Sequence, residues 1–393
     1  MGLVEFFAWK VLDPFYLQFL TTDRGLNLSP VQFGLFVSLG SWVTMVLDYP
    51  TGSVADKLGR RATWAIALFS HAIGMLWLSR VRTFAQCLIV PIFQGISWAL
   101  QSGSREAWLY DHAAEEGTRH AVALTYLLSL PLTAAGISLA TWMGARTDVR
   151  MPIALTGVIL LGVGAGVMTF PENYGQRQKP WVATLKSGLA QFSSSRILKL
   201  LALESFFNTL PIWVSSAWWL TFLVEEWNVG VAATTFAFGI TAMGTTTAGF
   251  ALYRASTASS RSRCGENTKA GKSALSRYRS LLIYPCLVAG TAFCLMAVAP
   301  GPAVLVALVL VTIAARYFRS AGVTLLRNRE ITEDRATTLS LLGTLEGLVW
   351  AVTPLIWGIV IQAVGLRIVF LLAGVSSLIS SVIFSIALSF RES

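Results

Sequence analysis

The stretch that decides the fold reads DYPTGSVADKLGRR and spans residues 48–61, between two long apolar runs. Six of its residues have the spacing of a tight connection between two membrane helices: Gly52, Asp56, Lys57, Gly59, Arg60 and Arg61. The first glycine permits close helix packing, and the second gives the chain freedom to turn. The cations are of the kind that mark one side of a membrane. The pattern predicts a short turn between two spanning helices.

The composition of the whole chain predicts a membrane protein. Of 393 residues, 54% are apolar and 13% are charged, and the mean hydropathy is +0.63. A spanning helix needs about 20 apolar residues, so the chain has room for about a dozen. The net charge of +10 does not indicate a nucleic-acid partner, because the cations punctuate apolar segments instead of clustering on one polar surface.

Apolar segments predict an all-α membrane protein of twelve transmembrane helices, numbered here 1 to 12. They lie at roughly 3–20, 31–54, 62–79, 84–110, 120–143, 151–170, 198–223, 231–253, 280–299, 302–325, 337–363 and 367–390. The polar stretch 173–197 has apolar residues at helical spacing, which predicts a cytoplasmic amphipathic linker along the membrane surface. The predicted domains are therefore a six-helix bundle at 1–172, the linker, and a six-helix bundle at 198–393.

The distribution of cations predicts the orientation of the chain. If the N-terminus is cytoplasmic, the inner connections and the C-terminus carry twenty Lys and Arg residues and the outer connections carry six. Such a bias favours both termini on the cytoplasmic side and an even number of spans. The inner cations include the basic connection 254–280.

The signature loop, defined here as residues 52–61, resembles that of the major facilitator superfamily of secondary transporters. The resemblance implies two pseudo-symmetric bundles around a central cavity lined by helices 1, 4, 7 and 10. It also implies that Asp56 caps a helix of the other half and that Arg60 pairs with an acid at the inner end of helix 4, either Asp111 or Glu106. These contacts would close the cytoplasmic side in the outward-facing state.

A simpler alternative for the signature loop is that its cations only follow the positive-inside bias. That alternative explains Lys57, Arg60 and Arg61 but leaves Gly52, Asp56 and Gly59 without a reason. The second half of the chain lacks the pattern, since the connection 254–280 is basic and serine-rich only. A weak repeat of helices 4 to 5 as helices 10 to 11 nevertheless supports two related halves.

Deep ionisable residues are the candidates for a solute or coupling-ion pathway, because a charge at the bilayer centre costs roughly 2.5–3.5 kcal/mol on insertion scales. They are Lys10, Asp13, Glu204, Arg316, Arg319 and Glu346. Three acids balance three bases, so mutual pairing is the alternative. Arg316 and Arg319 are one turn apart and repel unless an acid, Glu204 or Glu346, or a substrate anion neutralises them.

Polar faces on three helices extend these candidates. One face of helix 4 carries Gln94, Ser97, Gln101, Arg105 and Trp108; one face of helix 7 carries Glu204, Asn208, Pro211, Ser215 and Trp218; helix 1 carries Trp9, Asp13 and Tyr16. In a bundle such faces meet buried polar groups or water. Ordinary packing is the alternative for the aromatic members.

Several other activities are not supported. The four cysteines and three histidines show no metal-ligand or disulfide spacing. No nucleophile elbow or phosphate-binding glycine loop is present, so neither an enzyme, a cofactor, nor ATP-driven pumping is indicated. Proton-coupled drug antiporters of the superfamily carry an arginine where this chain has Pro91, which puts drug antiport in doubt.

The resulting interpretation is a permease for secondary active transport of a small-molecule solute by alternating access. A proton or another ion is the candidate coupling partner, the lipid bilayer is the surrounding partner, and the chain is expected to be a monomer in the cell membrane. The alternative is a transporter-like receptor or assembly partner that does not transport. Buried ionisable residues favour transport, because a scaffold has no need of them.

Overall fold

The computed structural model describes residues 2–112, 115–172, 192–230, 233–244, 247, 279–330 and 335–390. The helices α1 to α12 are numbered to match the predicted helices 1 to 12. In the first half they are α1 Gly2–Thr21, α2 Pro30–Leu58, α3 Arg60–Leu78, α4 Val90–His112, α5 Glu115–Arg146 and α6 Arg150–Val167. A short helical turn, Phe84–Cys87, precedes α4.

The second half begins with α7 Arg196–Trp213 and α8 Ala233–Gly244. It continues with α9 Tyr284–Met296 and α10 Pro302–Glu330, and ends with the long helical stretch Arg335–Ser389. Gly365, with φ +79° and ψ 166°, breaks that stretch into α11 before it and α12 after it. Most of the predicted linker and most of the 254–280 connection lie outside the described residues.

Within the described residues, seven helical segments are long and apolar enough to cross a membrane. One of them, Leu342–Ser389, contains 48 residues and so includes most of both α11 and α12. The all-helical architecture confirms the predicted fold class. Predicted helix 8 lies partly outside the described residues. Its described part, α8, is a shorter apolar helix.

The described residues pack into two units. The first contains those of Met1–Gln178, Asn228–Met243 and Trp350–Ala363. The second contains those of Lys179–Trp227, Gly244–Val349 and Val364–Ser393. The domain boundaries predicted at residues 172 and 198 stay predictions.

In the first unit, α2 and α11 approach backbone to backbone. A Cβ atom at Gly34 would lie 2.4 Å from the Pro354 carbonyl oxygen, and one at Gly358 would lie 2.3 Å from that of Pro30. The Leu355 N–H donates to Ser38 Oγ over 3.2 Å. Only glycine fits at these two positions, because any side chain would push the helices apart.

The second unit has a local irregularity that the sequence periodicity does not predict. After α7 the chain makes a π-helical turn at Val214–Trp218 and then continues as the helix Trp219–Trp227. Trp213, Trp218 and Trp219 are buried here. A π turn holds one extra residue, so it rotates the residues that follow it relative to an uninterrupted α-helix.

Candidate functional site

The signature loop is mostly helical, which narrows the predicted turn. Helix α2 continues through Leu58, and the break between α2 and α3 falls at Gly59, whose φ is +97°. Residues 53–58 continue the helix. The φ of Gly59 is positive, a conformation that only glycine adopts without strain. The backbone thus reverses over one residue and not over the longer turn that the sequence indicated.

Glu172 caps the beginning of α3. Its Oε1 accepts a hydrogen bond from the Arg61 N–H at 2.8 Å, and its Oε2 accepts one from the Ala62 N–H at 3.2 Å. The Arg61 side chain adds a contact from Nε to Glu172 Oε2 at 3.3 Å and donates from Nη1 to the Phe170 carbonyl at 2.8 Å. A carboxylate suits this place because the first N–H groups of a helix lack partners and carry partial positive charge.

An aromatic cluster fixes the segment that carries Glu172. Trp108 of α4 stacks on Phe170, with ring centroids 5.2 Å apart, and its indole N–H donates to the Pro171 carbonyl at 3.0 Å. Trp64 of α3 lies 6.0 Å from Trp108 and 6.3 Å from Phe170. The cluster joins α3, α4 and the end of α6, so it holds the capping carboxylate in register with the signature loop.

The structure brings together only part of the predicted signature-loop network. The structure does not describe the side chains of four residues of this network: Asp56, Lys57, Glu106 and Asp111. The proposed contacts of Asp56 and the Arg60–Asp111 pair therefore stay predictions, as does the role of Gly52. Sequence reasoning missed Glu172. Its signal was an acid directly after the proline that ends predicted helix 6.

Residues from the polar face of α4 contact α1. Tyr16 and Gln94 exchange hydrogen bonds of 2.9 and 3.1 Å between the phenol and the side-chain amide. Gln101 Nε2 donates to Glu5 Oε1 at 3.0 Å, and Arg105 Nη1 lies 3.8 Å from the same oxygen. These contacts connect two of the helices that the superfamily resemblance places around the cavity.

Glu5 is a second residue that sequence reasoning missed. Only 2% of it is exposed, and its Oε2 has no hydrogen-bond partner among the described residues. Its nearness to the start of the chain placed it at the edge of predicted helix 1. The contacts with Gln101 and Arg105 show that it belongs to the polar layer between α1 and α4.

Lys10 and Asp13 pair with each other on α1, with Nζ and Oδ2 2.6 Å apart. Lys10 also lies over the Phe6 ring at 5.3 Å from its centroid. These two deep charges therefore neutralise each other.

Arg319 and Glu204 form a two-point ion pair in the second unit. Arg319 Nε donates to Glu204 Oε1 at 2.8 Å, and Nη2 donates to Oε2. Glu204 is fully buried, and the guanidinium also lies 5.8 Å from the Phe384 ring centroid. Both residues are eight positions from one end of their spans, Arg196 and Arg327 respectively. Helices that run in opposite directions thus place the two groups at one depth.

Glu346 does not pair with Arg316, which was one of the alternatives that the sequence left open. Glu346 pairs with Arg327 and also accepts a hydrogen bond from Ser205 Oγ at 3.1 Å. Predicted helix 10 ends at residue 325, which leaves Arg327 in the inner connection that follows. In the structure α10 continues to Glu330, so Arg327 lies on the helix and reaches Glu346. Periodicity indicates which face a residue occupies but not which neighbour that face meets.

Arg316 lines a small, solvent-open cavity in the second unit, whose enclosed space of about 20 Å³ has room for about one water molecule. Among the described residues its hydrogen bonds run from Nη1 to the hydroxyls of Ser215 and Ser216, at 3.3 and 3.4 Å, and no carboxylate is within ion-pair distance. Further residues from α7, α9, α10 and α12 line the cavity: Asn208, Pro211, Pro285, Cys286, Ala289, Phe293, Thr312, Ala315, Arg319, Ser377 and Ser380. The structure therefore collects the predicted residues Asn208, Arg316 and Arg319 at one cavity.

This chain is similar in sequence to a known family and to one curated protein. The model for the Major Facilitator Superfamily matches residues 1–264. YxaM of Bacillus subtilis (strain 168), described as an uncharacterized MFS-type transporter, is 21% identical over 226 residues. That alignment covers 56% of this chain and 56% of YxaM.

Solved structures of similar fold cover almost the whole chain. The nucleoside transporter NupG has a TM-score of 0.72 at 15% identity, over 98% of this chain and 96% of NupG. A bacterial homolog of the human lysosomal transporter Spinster, in its inward-facing and occupied conformation, has a TM-score of 0.72 at 13% identity, over 98% and 94%. A D-xylose–proton symporter has a TM-score of 0.70 at 14% identity, over 98% and 96%.

Such identities show a shared fold. The family match over residues 1–264 shows the family itself. The chain belongs to the Major Facilitator Superfamily, a family of multi-pass membrane transporters.

Proposed function

We propose that this protein is a secondary active transporter that moves a small solute by alternating access between the predicted bundles 1–172 and 198–393. One observation carries the proposal: Arg316, on the membrane-spanning helix α10, lines a cavity, and no acid among the described residues lies within ion-pair distance of it. Arg316 is 14 residues from Pro302, or about 21 Å at 1.5 Å per residue, within a hydrocarbon core of about 30 Å. An unpaired charge at that depth marks a solute or ion pathway more often than a structural element.

Polar residues along α1, α4, α7 and α10 supply the proposed pathway. Asn208, Arg316 and Arg319 would face the solute from the second half of the chain. From the first half, Lys10, Asp13, Gln94, Gln101 and Arg105 would contribute polar contacts, while Glu204 and Glu346 would hold Arg319 and Arg327 in place. Contacts within this set support the assignment: Lys10 pairs with Asp13, and Arg319 pairs with Glu204.

The signature loop is proposed to act as a gate. In this proposal Asp56 and Arg60 make contacts that form in one state and break in the other. The Glu172 cap supports it, because a rigid start of α3 gives the loop a fixed base from which to act. Both termini are proposed to be cytoplasmic, in the cell membrane of a monomeric transporter.

The proposed energy source is an ion gradient or the gradient of the solute. One neighbour in fold is described as a proton symporter. A buried carboxylate is a candidate site for a coupling ion, and one oxygen of Glu5 is buried and has no hydrogen-bond partner among the described residues. We propose Glu5 as the first residue to test for coupling.

Reconstituted protein tests the proposal directly. Proteoliposomes should take up radiolabelled solutes from a panel of nucleosides, sugars and organic acids, first in counterflow and then with an imposed pH gradient. Empty liposomes and protein with Arg316→Gln serve as controls. Failure to carry any class, by protein that is folded and binds a ligand, would favour the alternative of a receptor or assembly partner.

A further inference from the structure

We propose that the cavity around Arg316 binds a small organic monocarboxylate with an apolar body. The assignment of this anion as the transported solute rests on the proposed function, whereas its binding does not. The inference starts from the charges around the cavity, which do not balance among the described residues.

Three guanidinium groups and two carboxylates form the charged cluster of the second unit. Arg319 is neutralised by Glu204, and Arg327 by Glu346. One positive charge therefore remains, and it lies on Arg316. A desolvated cation without a counterion is costly, and two neutral hydroxyl acceptors at 3.3 and 3.4 Å are a weak replacement for an anion.

The donors left over on Arg316 fit a carboxylate. A guanidinium has five N–H donors, and here only Nη1 makes hydrogen bonds to described residues. Nε and Nη2 form the planar pair that binds the two oxygens of a carboxylate. Ser215 and Ser216 donate their own hydroxyl protons to the Ile212 carbonyl, at 3.1 and 2.6 Å, so they hold the guanidinium as acceptors.

Ser380 supplies a second polar group that a ligand in this cavity could bind. It lines the cavity, is 1% exposed, and its Oγ has no hydrogen-bond partner among the described residues. Buried hydroxyls without a partner are uncommon and costly. A ligand oxygen would satisfy it.

The remaining walls describe the body of the ligand. Apolar groups of Pro211, Pro285, Ala289 and Phe293 line the cavity beside the polar end. The cavity is open to solvent, so a ligand held at its polar end would extend beyond the enclosed space. One net positive charge, a planar donor pair and apolar walls together favour a compact monocarboxylate over phosphate, chloride or an uncharged solute.

Equilibrium binding to the purified full-length protein tests the site. The probes are benzoate and hexanoate, their uncharged amides, and the chloride and phosphate ions. We expect at least one carboxylate to raise the melting temperature saturably, while its amide and the inorganic ions do not. Arg316→Gln should abolish this shift, and Arg316→Lys should weaken binding at least about tenfold, because a point charge cannot replace the donor pair.

Ser380→Ala separates a ligand role from a structural one. It removes a hydroxyl that has no partner, so the ligand-free melting temperature should hold or rise, while carboxylate binding weakens several-fold. Arg82→Gln, which removes an exposed arginine in another unit, is the matched control and should bind as the parent does. The site is overturned if both carboxylates fail to bind the parent, if the amides or inorganic ions bind equally well, or if Arg316→Gln keeps its affinity. A carboxylate that binds but is not carried into proteoliposomes would instead refute the proposed transport and leave the site standing.

Discussion

The carboxylate of Glu172 occupies the space that a Cβ atom at position 59 would need. Such an atom would lie 2.3 Å from Glu172 Cδ and 2.6 Å from each carboxylate oxygen. Gly59 thus serves two purposes: it adopts a φ of +97°, and it leaves room for the group that caps α3. The second glycine of the signature loop is therefore required by a contact within the first unit.

Gly59→Ala should lower the melting temperature, with a loss of about 2 kcal/mol or more from backbone strain and displacement of the cap. Removing the carboxylate as well, in Gly59→Ala with Glu172→Ala, should not restore stability, because the strain remains. Gly162→Ala is the control, since nothing lies within 4 Å of its Cβ position. A Gly59→Ala variant as stable as this control would contradict the argument.

Glu172→Gln should cost about 1 kcal/mol, the usual size of a lost helix cap or of a charge at a helix N-terminus. The amide keeps one acceptor oxygen but directs an N–H₂ group toward a backbone N–H. Glu172→Ala should cost more, because both acceptors disappear. Thermal melts of the parent and the two variants in the same detergent measure the order of their stabilities. An alanine variant as stable as the parent would show that the Glu172 carboxylate does not stabilise α3.

Glu204→Gln alone should destabilise the protein strongly, by about 3 kcal/mol or more, because it strands a buried guanidinium. Combining it with Arg319→Gln should recover much of that loss. The matched cycle, Arg316→Gln with Glu346→Gln, should be additive to within about 0.5 kcal/mol, since these residues share no contact. Strong coupling in the second cycle would show that Arg316 and Glu346 do interact.

Asp56→Asn should impair transport while the protein folds and inserts normally, because the acid is proposed to hold a gate and not the core. Uptake must be compared at matched abundance in the membrane. Val54→Ala, in the same helical stretch, is a suitable control. Undiminished uptake by Asp56→Asn would leave the signature loop as a topology signal only.

The twenty-to-six distribution of cations predicts that the 254–280 connection faces the cytoplasm. With the four native cysteines replaced, a membrane-impermeant maleimide should not label Asn267→Cys in intact cells until the cells are permeabilised. Asp23→Cys, at an exposed position in a predicted outer connection, should be labelled at once. The reverse pattern would invert the topology.

Much of the helical order was predictable, because length and hydropathy decide where a membrane helix lies. The choice of partner was not. The Arg319–Glu204 pair was among the pairings that the sequence allowed. Glu346 pairs instead with Arg327, because sequence periodicity does not define how α10 is rotated against α11. Arg327 also looked like part of a connection, because a positive residue near a helix end fits the positive-inside bias equally well.

Glu172 illustrates the other limit. The proline before it marks the end of a helix but does not distinguish it from a linker acid, and its role depends on Gly59, more than a hundred residues earlier. Glu5 was similarly hidden, because a residue so close to the start of a span reads as interfacial until α4 is placed against it.

The π-helical turn at Val214–Trp218 leaves a trace that sequence comparison alone could detect. Ser215 and Ser216, which hold Arg316, both lie within it, so two consecutive residues serve one guanidinium. A π turn arises in a helix by insertion of a single residue. The proposed carboxylate site requires both this extra residue and Arg316. In relatives that bind uncharged or cationic solutes, we expect an alignment to show a one-residue gap at this point together with loss of the arginine. The joint presence or absence of the two would sort the family by ligand charge.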